Sequence, residues 1–290
     1  MKWTHALPPG RSLLGLPALA AVALSFATSP AAAQASAPAK VPGAELQLIA
    51  GPVDGASADA GIDLRLSPGW KTYWRYPGDS GVPPALNWSG SDNVLKVEME
   101  WPAPKRFADG GGGYSIGYKG AVLFPLKVEL KEPGKPARLQ IAFDFAVCEA
   151  LCMPARAELA VALDGRAGPD ASRITAARAL VPVEQAVGAA DVLAVEKVDL
   201  DQSVRPARLV IDVKAAGPKA DLFVEGPDER WALPLPQKTA LPDGTARFTL
   251  ALDGVPSGVD PAGAALKLTL VDGARAVSTQ VSVPGPAAAR

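Results

Sequence analysis

Apolar residues recur at every second position in short runs along this chain. The runs are Ile62, Leu64 and Leu66; Leu95, Val97, Met99 and Trp101; Val122, Phe124, Leu126, Val128 and Leu130; Leu139, Ile141, Phe143, Phe145 and Val147; and Ala157, Leu159, Val161 and Leu163. A period of two places apolar side chains on one face of an extended strand, and Pro and Gly between the runs break the chain into strands of sandwich length. A second set follows at Leu209–Val213, Leu222–Val224, Phe248–Leu250, Leu266–Leu270 and Val277–Val283. Two antiparallel sandwiches are therefore expected. Pro125 interrupts one run and predicts an edge strand or a bulge there. Between the sets, Pro169-Asp170-Ala171-Ser172 reads as the cap of a helix of about three turns. Its apolar stripe would be Ile174, Ala177, Leu180 and Val181, and Pro182 would end it.

Composition removes several classes of function. With 48% apolar and 20% charged residues the chain can build a packed core. Its 29 Lys and Arg against 30 Asp and Glu give no field that would attract nucleic acid. At the N-terminus, Lys2 and Arg11 precede the apolar stretch Ser12–Ala27, which is interrupted by Pro17 and followed by A-x-A sites ending at Ala33 and Ala35. Residues 1–33 are expected to be a cleaved export signal, and no later run approaches the ~20 apolar residues of a spanning helix. The single histidine is His5, inside that signal. A mature chain without histidine excludes Ser-His-Asp and Cys-His catalysis and His-ligated zinc, copper or haem. No P-loop, nucleophile elbow or dinucleotide fingerprint is present, so no cofactor is expected. The run Gly110–Gly113 reads as a flexible loop.

Both cysteines, four of the five tryptophans of the mature chain and all four tyrosines lie in the first half. The chemistry is expected there, with the second half a spacer or docking surface. Cys148 and Cys152 lie between two strand runs, so they occupy a hairpin connection whose ends approach closely enough for a disulfide. Three readings of the pair stand open. A structural staple suits an exported protein, yet closing so short a loop removes little unfolded-state entropy. An exchangeable pair suits a short loop. A soft Cu(I) site would use Cys148, Cys152 and Met153. The cation nearest in sequence is Arg156, with Glu149 opposing it, and this does not support a strongly acidic thiol. Trp70, Trp74, Trp88 and Trp101 read as packing residues; Tyr73, Arg75 and Asp79 are candidates to line a site beside the cysteines.

Three stretches together resemble one family: Trp70 to Pro84 (WKTYWRYPGDSGVPP), Trp101 to Arg106 (WPAPKR) and the Cys148–Pro154 loop. They are similar to the N-terminal periplasmic domain of the DsbD disulfide reductases, including the ScsB-type copper-tolerance proteins, over roughly Ala44 to Leu163. The resemblance implies an immunoglobulin-like sandwich whose pair, Cys148 and Cys152, receives electrons from a membrane donor and reduces periplasmic thiol oxidoreductases. The best-known members space the pair as C-x5-C, where this chain has C-x3-C. Their aromatic cover over the disulfide falls near Gly110–Tyr114, making Tyr114 the expected cover and Phe107 the weaker candidate. Full-length relatives carry an eight-helix membrane domain and a thioredoxin-like domain, patterns that do not occur in these 290 residues, so a separate electron donor is expected.

The complete expectation is an all-β chain: two immunoglobulin-like β-sandwich domains joined by a short helical connector. Its segments are a signal peptide at 1–33, a linker at 34–43, a redox domain at 44–165, a connector at 166–188 and a second sandwich at 189–290. The expected activity is periplasmic thiol–disulfide exchange through Cys148 and Cys152, and the alternative is a non-catalytic module that binds Cu(I) or docks a partner around a structural disulfide.

Overall fold

A computed structural model describes residues 1–3, 34–78, 81–108, 112–165, 169–215, 217–242 and 245–285. The expected signal core, its cleavage site at Ala33, His5, Asp79, Gly110 and Gly111 lie outside the described residues.

The first half holds β1 (Ala39–Val41), β2 (Ala44–Asp54), β3 (Ser57–Leu66), β4 (Lys71–Gly78), β5 (Ala85–Asn87) and β6 (Val94–Met99). It continues with β7 (Lys105–Ala108), β8 (Tyr114–Lys119), β9 (Ala121–Leu130), β10 (Ala137–Cys148) and β11 (Cys152–Leu163). One sheet runs β1-β2-β3-β9-β6; the other runs β11-β10-β4-β8-β7, with β5 also paired to β10. The expected alternation is realised as burial. Leu139, Ile141 and Phe143 of β10 and Leu159, Val161 and Leu163 of β11 face the core, opposite Ile62, Leu64, Phe124 and Leu126 of the other sheet. Phe124 lies at the centre, with ring centroids 5.3 Å from Trp101 and Tyr118 and 6.2 Å from Phe143. Full burial of a ring of this size contributes about 2–3 kcal/mol.

Pro125 sits neither on an edge nor at a bulge. β9 lies between β3 and β6, and Pro125 pairs with Gly61 in an unbroken register. Its carbonyl accepts from the Glu100 N–H at 2.8 Å, so its nitrogen faces the same side, just beyond the last residue of β6. The proline therefore forfeits one bond, the reciprocal one to the Glu100 carbonyl, at the very end of the β6–β9 ladder.

The helix α1 (Ala171–Arg178) has eight residues, shorter than the stripe suggested. Ile174 and Ala177 are buried as expected, but Leu180 is exposed. After Arg178 the chain tightens, with Leu180 N–H bonding to Ala177 and Val181 N–H to Arg178, so the helical spacing ends before Leu180. The helix lies on the outer face of β9, β2 and β3. A side chain at Gly51 would stand 3.1 Å from Ile174, so the glycine permits the close approach. Arg178 bonds both carboxylate oxygens of Asp59 at 2.9 Å and also reaches Glu100, while Arg173 reaches the buried Asp63.

The second half holds β12 (Val183–Glu184), β13 (Ala194–Asp201), β14 (Arg208–Lys214), β15 (Asp221–Glu225), β16 (Gln237–Ala240), β17 (Ala246–Ala251), β18 (Ala265–Asp272) and β19 (Arg275–Ser282). Its sheets run β12-β19-β18-β15 and β13-β14-β17-β16. Leu209, Ile211, Phe248 and Leu250 pack against Leu222, Leu268, Leu270 and Trp231 between them. Two stretches read as connections carry strands. β1 pairs antiparallel with β2, and β12 pairs parallel with β19.

The sandwiches meet through β4. Tyr73 pairs with Gly117 and Gly78 with Ser115, so β4 advances five residues while β8 advances two. Trp74 to Pro77 leave the ladder inside that interval, and Trp74, Arg75 and Tyr76 reach the second sandwich. Trp74 meets Phe223 edge-on, and Phe223 is buried with the first core. Arg75 lies 4.1 Å above the Trp74 ring and grips both oxygens of Glu225 at 2.7 and 2.8 Å. Tyr76 donates to the Leu233 carbonyl at 3.1 Å, and Arg106 pairs with Asp221 at 2.6 Å. The second half is thus packed onto the first over an aromatic and ionic seam.

Candidate functional site

The β10–β11 hairpin holds register from Ala137 opposite Leu163 to Cys148 opposite Cys152, and Glu149, Ala150 and Leu151 close its turn. Phe143, Phe145 and Val147 point inward, so alternation turns Ala146 and Cys148 to the outer face of the sheet. Cys152 lies directly across and shares that face. The two are joined as a disulfide, with Cα atoms 4.1 Å apart. The two cysteines differ in access: Cys148 is buried at 1%, whereas Cys152 is exposed at the hairpin tip beside Leu151, which is 80% exposed.

Tyr73 reaches both sulfurs. Its hydroxyl is 3.0 Å from Cys152 Sγ and 3.1 Å from Cys148 Sγ. Tyr73, Ala146 and Cys148 form a small buried cluster of their own on the outer face. β4 is anchored beside β10 by the pairs Val147–Thr72 and Cys148–Lys71, and the buried Thr72 hydroxyl donates to the Ala146 carbonyl at 2.8 Å. Gly81 crosses the Tyr73 ring so closely that a β-carbon there would stand 2.7 Å from it, so only glycine allows that crossing.

The charges around the pair differ from those adjacent in sequence. Arg156 is held by Asp144 at 2.9 and 3.1 Å and by Glu158 at 3.3 Å, four positions along β11 from Cys152. Lys71 lies directly across from Cys148, and Lys119 across from Lys71. Lys71 Nζ donates to the buried Ser115 hydroxyl at 3.0 Å, and Lys119 Nζ lies 4.6 Å from the centre of the Phe107 ring. The Glu149 carboxylate lies over Gly69, where a β-carbon would be 3.2 Å from it.

Of the candidates to line the site, Tyr73 reaches the sulfurs, Arg75 turns to Glu225, and Asp79 is outside the described residues. Tyr114 stands elsewhere. It opens β8, with the Arg106 guanidinium 5.5 Å from its ring, in a cleft lined also by Asp221, Leu235 and Lys238. Lys119, the β8 residue in line with the cysteines, is five residues away, or about 17 Å along the strand. The aromatic contact on the disulfide comes from β4. Trp74 is fully buried, and Trp70, Trp88 and Trp101 pack against the core, as expected of packing residues. Met153 follows Cys152 on a strand and is turned to the opposite face, away from both sulfurs. Lys71, Lys119 and Ser115 escape a reading of the sequence, since only the pairing of β10, β4 and β8 brings them into line. The one usable signal is that Lys71 and Tyr73, two apart on a strand, share a face.

Residues 41–163 match the family described as the N-terminal part of thiol:disulfide interchange protein DsbD. The first sandwich belongs to that family. The chain is also similar in structure to the N-terminal periplasmic domain of ScsB from Proteus mirabilis, with a TM-score of 0.70 at 22% identity, covering 87% of this chain and 98% of the other. Coverage that wide takes in both sandwiches, so the likeness to ScsB is one of fold across the DsbD-type domain and the sandwich behind it. No curated protein matches the sequence.

Proposed function

We propose that this chain is a periplasmic thiol–disulfide exchange protein in which Cys152 meets the partner and Cys148 resolves. In the reduced protein, the Cys152 thiolate attacks a partner disulfide. A Cys152–partner bond forms, the partner's own S–S bond breaks, and its second sulfur leaves as a thiolate. Cys148 then attacks Cys152 Sγ, releasing the partner's first sulfur and closing the Cys148–Cys152 bond. The protein loses two electrons and the partner gains two. A membrane donor returns them by the reverse exchange, and the partners are periplasmic thiol oxidoreductases. Export by the segment at 1–33 places the chain in that compartment, with 44–165 as the redox domain and 189–290 as the second domain.

The observation that carries this reading is the unequal exposure of the two cysteines within a domain of the DsbD family. A staple gains nothing from presenting one cysteine at a hairpin tip, whereas exchange requires it. The deciding experiment is a redox titration of Cys148 and Cys152 with mass-tag readout. A midpoint within the range of exchanging dithiols, roughly −120 to −270 mV, supports the proposal. A potential well below about −300 mV would mark a structural bond and overturn it. Stoichiometric Cu(I) binding by a reduced form inert toward disulfides would assign a metal-binding role instead. The orientation of Met153 weighs against that outcome.

A further inference from the structure

We propose that Lys71 is a positioning residue for the exchange chemistry: its ammonium stabilises the thiolate of buried Cys148 when that sulfur resolves the mixed disulfide. The inference rests on the reading above and adds the group that lets a buried sulfur act as an anion. Cys148 must carry negative charge in the resolving step, yet it is 1% exposed, and burial without a cation disfavours the thiolate. Lys71 is the residue directly opposite Cys148 on β4, where β-carbons of facing residues stand about 4.5–5.5 Å apart on one face. Its ammonium donates to the Ser115 hydroxyl, a neutral partner, and pairs with no carboxylate among the described residues. A four-carbon stem lets Nζ swing between that hydroxyl and a new thiolate.

Among the described residues, the other charged and titratable groups on this face do not take the role. Lys119 is one strand further away and directed at Phe107. Arg156 is shared by Asp144 and Glu158. Glu149, over Gly69, opposes a thiolate rather than stabilising it. Tyr73 supplies a hydroxyl to the sulfurs but no positive charge.

The test reads the thiol itself. In a Cys152→Ala background, the rate of Cys148 alkylation by iodoacetamide is followed from pH 6 to pH 10, with Lys71 intact and as Lys71→Met. Loss of the ammonium is expected to move the midpoint of the profile up by about one pH unit, a roughly tenfold slower reaction at pH 7. Lys71→Arg should restore the original profile, which a purely structural role would not explain. Ser115→Ala, which frees the ammonium without removing it, should leave the midpoint at or below its starting value. Identical profiles for Lys71→Met and its parent would overturn the proposal. If Lys71→Met does not fold, the same comparison is made with Lys71→Gln, and an unchanged midpoint there is equally decisive. A structural potential in the redox titration would remove the exchange reading while leaving this profile, a property of the thiol, to be judged separately.

Discussion

Trp74 meets Phe223 edge to face with ring centroids 5.9 Å apart. The residue before it, Tyr73, holds its hydroxyl against both sulfurs of the disulfide. Neighbours on a strand face opposite ways, so one short segment of β4 serves the cysteine pair on one side and the second sandwich on the other. Arg75 and Tyr76 extend the second task, reaching Glu225 and the Leu233 carbonyl. Strand β4 is therefore the mechanical link between the cysteine pair and the C-terminal half.

That link is measurable as an energy. Arg75 and Glu225 are both mostly buried at the seam and joined by two charge-assisted hydrogen bonds. A double-mutant cycle with Arg75→Met and Glu225→Gln, followed by urea denaturation, should return a coupling of about 1–3 kcal/mol. Additive effects within about 0.3 kcal/mol would mean the pair does not join the sandwiches.

Tyr73 and Tyr114 make opposite predictions about shielding. Tyr73→Ala removes the ring over Cys148 and should raise the alkylation rate of that thiol in the reduced protein on the order of tenfold, equal to about 1.4 kcal/mol of easier opening. Tyr114→Ala, at the cleft, should leave the rate unchanged. Faster alkylation in the Tyr114 variant alone would return the shielding role to the glycine-rich loop.

Acid should act on the seam through Asp221. Burial pushes its carboxyl up from the ordinary aspartate range, and Arg106 offsets this only in part. A raised native pKa means the folded state binds the proton more readily, so Asp221 favours folding most when protonated and progressively less as pH rises through its native pKa. Stability of the parent relative to Asp221→Asn should therefore increase as pH falls from 7 to 4. A flat or opposite trend in that difference, measured by urea titration at each pH, would show that Arg106 outweighs the burial.

Much of the fold was legible along the chain. The alternation of Leu139 to Val147 and Ala157 to Leu163 is a local property of a strand with one buried face, so it announces β10, β11 and the hairpin between them without tertiary information. The closeness of the two cysteines follows from the same locality, because residues four apart across a tight turn meet whatever surrounds them. The helix end at Arg178 was less legible, since its apolar stripe continues in sequence to Leu180 while the backbone bonding does not.

What the sequence alone determined was the all-β class, the two sandwiches, the hairpin and its cysteine pair. The tertiary structure decided what surrounds that pair. Pairing of β4 with β10 places Tyr73 and Lys71 beside Cys148, residues more than seventy positions away. The departure of Trp74 to Pro77 from the β4–β8 ladder sends Arg75 to Glu225 and leaves Tyr114 at a cleft about 17 Å along β8 from the cysteines' line. Alternation states which face a residue takes within its own strand; which strand lies alongside depends on how all the faces are buried together, and that is a property of the whole core.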